Sequence, residues 1–90
     1  MSAFNLDYLL GPDFVNEVYL EKIDPKKNNY KFYRISVNQT PEESYVQVNY
    51  GRIGSTGSFQ RKYASKDIDM CRVYMTRLKE DKIKKGYVVK

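Results

Sequence analysis

The spacing of apolar residues changes once along this chain, and that change limits the folds open to it. From Glu17 to Tyr63 they recur at alternate positions in short runs, whereas after Ser65 they recur at threes and fours. The first spacing gives a strand one buried face, and the second gives a helix one buried stripe. In Glu17–Ile23, Val18, Leu20 and Lys22 alternate with Tyr19, Glu21 and Ile23; in Tyr30–Val37, Tyr33, Ile35 and Val37 form the core face opposite Phe32, Arg34 and Ser36. A third run, Tyr45–Arg52, places Val46, Val48 and Tyr50 together, and a fourth, Phe59–Tyr63, places Phe59, Arg61 and Tyr63 together against Gln60 and Lys62. The linking segments Asp24–Asn29, Asn38–Ser44 and Gly54–Gly57 hold the Pro, Asn, Gly and acidic residues that favour turns. A helix is predicted from about Lys66 to Lys84, burying Ile68, Cys71, Met75, Leu78 and the stem of Lys82, with Tyr74 flanking and Arg72, Lys79 and Glu80 toward water. Ser65 is its expected N-cap and Gly86 its C′ residue, and Tyr87–Lys90 follows as a short tail. The expected fold is α+β: an antiparallel sheet of about four strands with one long C-terminal helix on a face.

Ninety residues make one domain with a modest core and little room for a large enclosed active site. Phe4 and Tyr8, with Asn5 as a cap and Gly11-Pro12 as a stop, fit either a short helical arm or an extended one lying across the sheet, and in the plainest reading Phe4, Tyr8 and Leu9 simply cover one end of the core. Histidine is absent and Cys71 is the only cysteine, so His-dependent triads, the usual zinc sites and an internal disulfide are excluded by inventory. No cofactor and no metal is expected. Among Ile68, Met75 and Leu78, Cys71 suits a buried apolar position better than a reactive thiol. No apolar run exceeds three residues, against the roughly 20 that a membrane helix needs. No membrane partner is expected, and a cytoplasmic location is the default.

Charge divides the chain. Residues 1–49 hold five basic and seven acidic side chains, and residues 50–90 hold eleven and four, giving −2 and +7 of the net +5. A basic half implies either an anionic partner, nucleic acid first, or a solvated lysine-rich helix. At the head of that half stands Tyr50-Gly51-Arg52-Ile53-Gly54, which puts an aromatic ring, a residue without a side chain and a guanidinium in succession at a strand end. Strand parity turns Tyr50 inward beside the valines. A bulge at Gly51 would re-aim it, or a place at the sheet rim would bury only one face of its ring.

Around this motif the chain resembles the WGR domain, named for Trp-Gly-Arg, and in particular the short stand-alone WGR-like proteins of bacteria. The likeness covers about Val18 to Tyr87: Leu20-Glu21-Lys22-Ile23-Asp24-Pro25 with Asn28, Lys31-Phe32-Tyr33-Arg34, Tyr50-Gly51-Arg52-Ile53-Gly54 with Gly57, and Lys84-Lys85-Gly86-Tyr87. Residues 1–16 lie outside it as an N-terminal arm, and 17–90 form the WGR-like domain. The resemblance implies a non-catalytic module. In eukaryotic poly(ADP-ribose) polymerases, domains of this family help to detect DNA breaks with the motif's aromatic ring and arginine. Those roles would fall here to Tyr50 and Arg52, with Gly51 permitting the local backbone; Tyr in place of Trp keeps a smaller π-face and adds a hydroxyl.

Two functional readings follow. In the first, the protein binds nucleic acid, with DNA, duplex or ends, favoured, through Tyr50, Gly51, Arg52, Arg61, Lys62 and, more weakly, Lys66. Its structural alternative has Tyr50 as a core ring, Arg52 paired with an acid such as Glu21, and the basic helix merely solvated. In the second, an aromatic sheet face including Tyr19, Phe32 and Tyr45 docks a protein partner or a second copy. Catalysis has little support. Gly51–Gly57 lacks the Gly-Lys-Ser/Thr ending of a phosphate-binding loop and runs into a strand, and Asp24, Glu42 and Glu43 form no partnered pair.

Overall fold

A computed structural model of the protein describes residues 16–90. The strands are β1 (Glu17–Asp24), β2 (Asn29–Gln39), β3 (Ser44–Arg52), β4 (Ser58–Ser65) and β5 (Val88–Val89), and the helix α1 runs over Ile68–Lys84. All pairings are antiparallel, in the spatial order β4-β3-β2-β1-β5. The α+β expectation holds, with five strands in place of about four. The fifth comes from the presumed tail: Schellman capping turns the chain back after α1, so Val88 and Val89 pair with Glu21 and Leu20, and the Lys90 N–H reaches the Tyr19 carbonyl at 2.9 Å. Val-Val has high strand propensity, but two residues show no alternation to read. The expectations for Phe4, Asn5, Tyr8 and Leu9 lie outside the described residues.

Turn chemistry sets the register of the first hairpin. Pro25 starts a short 3-10 turn over Pro25–Lys27, and Asn28 takes a left-handed φ of 55°, which its side chain tolerates. The Asn28 N–H donates to the Pro25 carbonyl at 3.1 Å, and Asp24 then faces Asn29, Lys22 faces Lys31 and Leu20 faces Tyr33. Thr40 holds the next connection: its hydroxyl accepts from the Glu43 N–H at 3.1 Å, and its own N–H donates to the Glu43 carbonyl at 2.7 Å.

Leu20, Ile35, Val46, Val48 and Cys71 are sealed between sheet and helix, with Tyr33, Val37 and Met75 beside them. Full burial of each large aliphatic side chain contributes about 1.5–3 kcal/mol. The core faces predicted for the second and third strands are therefore the observed ones, and on β1 the set with Val18 and Leu20 is the buried one. The fourth needs correction. Val46 faces Tyr63 but Gln47 faces Arg61, so Lys62 is the extra residue of a β-bulge. The bulge shifts the parity: Tyr63 turns to the helix and stacks on Tyr74 at 4.8 Å and 8°, while Phe59 and Arg61 stay on the open face.

The N-cap of α1 is Asp67, not Ser65: its carboxylate accepts from the Asp69 N–H at 2.9 Å, and the Ser65 hydroxyl accepts one step earlier, from the Asp67 N–H at 3.0 Å. Two good caps in tandem make the first strong signal the wrong one. Arg72 also departs from the wet side, since its side chain is 16% exposed while its Nη1 meets Asp69 Oδ1 at 2.8 Å. At the other end, Gly86 (φ 102°) donates to the Ile83 carbonyl and Tyr87 to the Lys82 carbonyl, both at 3.0 Å. These are the two bonds of a Schellman motif, so the expected C′ glycine is in place. The C-terminus of α1, the β1–β2 turn and the end of β3 meet at one end of the sheet.

Candidate functional site

At that shared end, period 2 carries Tyr50 to the helix side of β3, as parity demands. The β2–β3 register is unbroken from Gln39 opposite Ser44 to Lys31 opposite Arg52, so Gly51 forms no bulge. Tyr50 sits at the rim: one face of its ring lies along Tyr33, with centroids 5.9 Å apart and planes 27° apart, and the residue is 39% exposed. Tyr87 meets Tyr33 edge-on at 6.1 Å, and the Lys82 ammonium stands 4.3 Å from the Tyr33 centroid. Burial pushes the Tyr33 hydroxyl up to about 12 and also raises that of Tyr87. Lys82 is lowered, first by burial and then by repulsion from Lys85, Lys62 and Lys31, with Asp81 opposing.

Gly51 has a packing role. A Cβ there would lie 2.9 Å from the Gly57 Cα and 3.2 Å from the Ser55 hydroxyl, because the loop from 53 to 57 crosses directly over it. That loop is tied down on several sides: Asn49 Nδ2 donates to the Thr56 and Ser58 carbonyls at 3.0 and 3.1 Å, the Ser55 hydroxyl to the Arg52 carbonyl at 2.7 Å, and the Ile53 N–H to the Tyr30 carbonyl at 2.8 Å. The motif thus has a fixed backbone without a helix behind it.

Arg52 does not pair with Glu21. The two residues point to opposite faces, and Glu21 accepts instead from the Tyr19 hydroxyl at 2.8 Å. The Arg52 guanidinium lies 5.2 Å from the Tyr30 centroid and donates to Asn28 O and Oδ1 at 3.5 and 3.4 Å. These are long bonds to neutral acceptors, readily exchanged for shorter ones to an anion. Asn28, Tyr30, Lys31, Tyr50, Arg52 and Tyr87 line a hollow of about 380 Å³. Its walls are aromatic and its charged groups are basic, an arrangement suited to a flat ring beside a phosphate.

The other expected site residues are dispersed. Arg61 is on the open face, 3.8 Å from the Tyr45 centroid and ion-paired with Glu43 at 3.5 Å. It faces Gln47, five positions before Arg52, which puts it about 17 Å along the strand. Lys62, lifted out by the bulge, is close enough to depress Lys82. Lys66 follows Ser65, which faces Ser44 at the far end of β3, about 27 Å from Arg52. Meanwhile Lys22, Lys31, Lys82, Tyr30 and Tyr87 join Tyr50 and Arg52, although sequence reasoning does not single them out. Pairing Lys22 with Lys31 across the Asp24–Asn29 turn is the signal that could have found two of them. Among the described residues, no group of three or more His, Cys, Asp or Glu could hold a metal ion.

A family model described as the WGR domain matches residues 16–90. The chain belongs to the WGR domain family. Comparison with curated proteins and with solved structures returns no match. WGR domains are generally nucleic-acid-binding modules rather than catalytic ones. In this WGR domain, Tyr50-Gly51-Arg52 ends β3, with Gly51 held under the loop that follows.

Proposed function

We propose that this WGR domain is a non-catalytic DNA-binding module that takes duplex DNA or its ends at the Tyr50-Gly51-Arg52 corner. Arg52 carries the reading: among the described residues its partners are the neutral Asn28 and the Tyr30 ring, so its charge is available to a phosphate. The exposed face of Tyr50 supplies stacking surface, worth roughly 1–3 kcal/mol per base or sugar. Lys82, over the Tyr33 ring on which Tyr50 stacks, adds positive potential nearby, whereas Lys62 sits beside Arg61 in the β4 bulge. Gly51 holds the backbone, whereas Arg61 and Lys66 stand too far along the sheet to share the same contact. The test is a titration of labelled blunt duplex, single-stranded DNA and RNA with wild type and Arg52→Ala at roughly 50 and 200 mM salt, over which a real phosphate interface weakens steeply. Duplex should bind most tightly, and Arg52→Ala should weaken it about tenfold or more. Absence of binding to all three at low salt defeats the proposal.

One observation favours protein docking as a second reading. Phe59 is 63% exposed on the open sheet face, where Arg34 and Arg61 are already matched by Glu17 and Glu43. Such a neutralised aromatic face suits a protein partner or a second copy, and its binding should be nearly insensitive to salt.

A further inference from the structure

Three cations stand in register across three neighbouring strands. Lys22 on β1 faces Lys31 on β2, and Lys31 faces Arg52 on β3. Each lies two positions from a residue that faces the helix, Leu20, Tyr33 and Tyr50 respectively, so all three emerge on the same side of the sheet. Adjacent strands are about 4.8 Å apart, so the rung spans about 10 Å at its base. The phosphate repeat of about 3.4 Å per strand is the rise along the helix axis, and successive phosphates lie farther apart along the winding backbone, so the rung with its long flexible side chains spans about two to three of them.

The surroundings keep the rung open. Gly86 leaves space for Lys22: a Cβ there would come within 3.2 Å of the Lys22 Cε, so the residue that caps α1 also accommodates the lysine stem. Among the described residues none of the three cations forms an ion pair with a carboxylate; Asp81, near the C-terminal end of α1, is engaged by Lys85 at 3.3 Å. Lys82 and Lys84 in the last turn of α1 offset the partial negative charge of its carbonyl end, which would otherwise repel phosphate.

We infer that Lys22, Lys31 and Arg52 form a binding rung for a run of linked phosphates, laid across β1, β2 and β3 under the C-terminus of α1. This rests on the DNA-binding reading for its natural ligand, but the chemistry recognised, consecutive phosphates, is shared with inorganic polyphosphate. Two of the three groups lie outside the motif, and the hairpin register alone brings them to it.

The experiment compares wild type, Lys22→Gln/Lys31→Gln and, as a charge-matched control off the rung, Arg34→Gln on the open face together with Lys66→Gln beyond the far end of β3. Each binds labelled blunt duplex across a salt series, and each is titrated separately with inorganic tripolyphosphate; thermal melting checks that all are folded. The slope of log K against log salt should become shallower by about 0.9 for each phosphate that a variant no longer neutralises, or about 1.8 for the rung variant, and stay unchanged for the control. An unchanged slope in the rung variant, or equal flattening in the control, overturns the rung. If Arg52→Ala weakens duplex binding while the rung variant does not, the rung falls and the DNA reading stands. If wild type ignores duplex but binds tripolyphosphate through Lys22 and Lys31, the rung stands and the DNA reading falls. Binding of neither anion removes both.

Discussion

Replacing Gly57 with alanine tests whether the loop really clamps the motif. Gly57 has a φ of 75°, and an added Cβ would lie 2.6 Å from the Tyr50 carbonyl oxygen, 2.7 Å from Phe32 Cζ and 3.0 Å from Asn49 Nδ2. The first of these is backbone paired within the sheet and cannot swing aside. Gly54, in the same loop, is a matched control: its φ is 95°, yet nothing lies within 4 Å of the corresponding Cβ. Both substitutions carry the conformational cost of an L-residue at positive φ, about 1.5 kcal/mol. Only Gly57→Ala adds overpacking, about 1–3 kcal/mol, for a total near 3 kcal/mol. With about 4–8 °C lost per kcal/mol in a domain this small, Gly54→Ala should lower the melting midpoint by about 6–12 °C and Gly57→Ala by roughly twice as much. Far-UV circular dichroism melts of the two variants and wild type read this directly. Equal midpoints for the two variants would refute the close crossing of Gly57 over Gly51, and with it the explanation of the motif's glycine.

Two further tests address the core beneath the site. The Tyr33 hydroxyl is pushed up to about 12 by burial, above its ordinary value of 10.0. Its contribution is intact below pH 10 and is lost as the pH rises from 10 toward 12, because the unfolded chain ionises first. Denaturant titrations at stepped alkaline pH should show wild type losing roughly 2–3 kcal/mol more than Tyr33→Phe across that window, and parallel curves would contradict the burial argument. Cys71 is fully enclosed and its thiol is raised by burial. A thiol reagent at mildly alkaline pH should therefore leave it unmodified until denaturant is added, and rapid native-state labelling would show that the helix–sheet seam is open.

The α+β class, the core faces of β2 and β3, the buried Cys71 and the glycine cap of α1 are all dictated locally. Each rests on side-chain alternation or on the chemistry of a few adjacent residues, which folding elsewhere does not alter. Tyr50 illustrates the boundary. Its inward face follows from parity alone, but its place at the rim, with Tyr33 beneath and water above, depends on where the neighbouring strands and α1 end. The bulge at Lys62 breaks the parity rule that governs the other strands, and the two-residue β5 is too short to show a period, so both emerge only from pairing. The choice between Ser65 and Asp67 as cap is equally beyond the sequence, because both side chains accept backbone N–H groups in succession. Sequence alone marks Arg52 as the cation that needs a partner. Tertiary structure decides that Glu21 lies on the opposite face, that Arg61 and Lys66 are remote, and that Lys22 and Lys31 stand beside it, because hydrogen-bond register joins residues far apart along the chain.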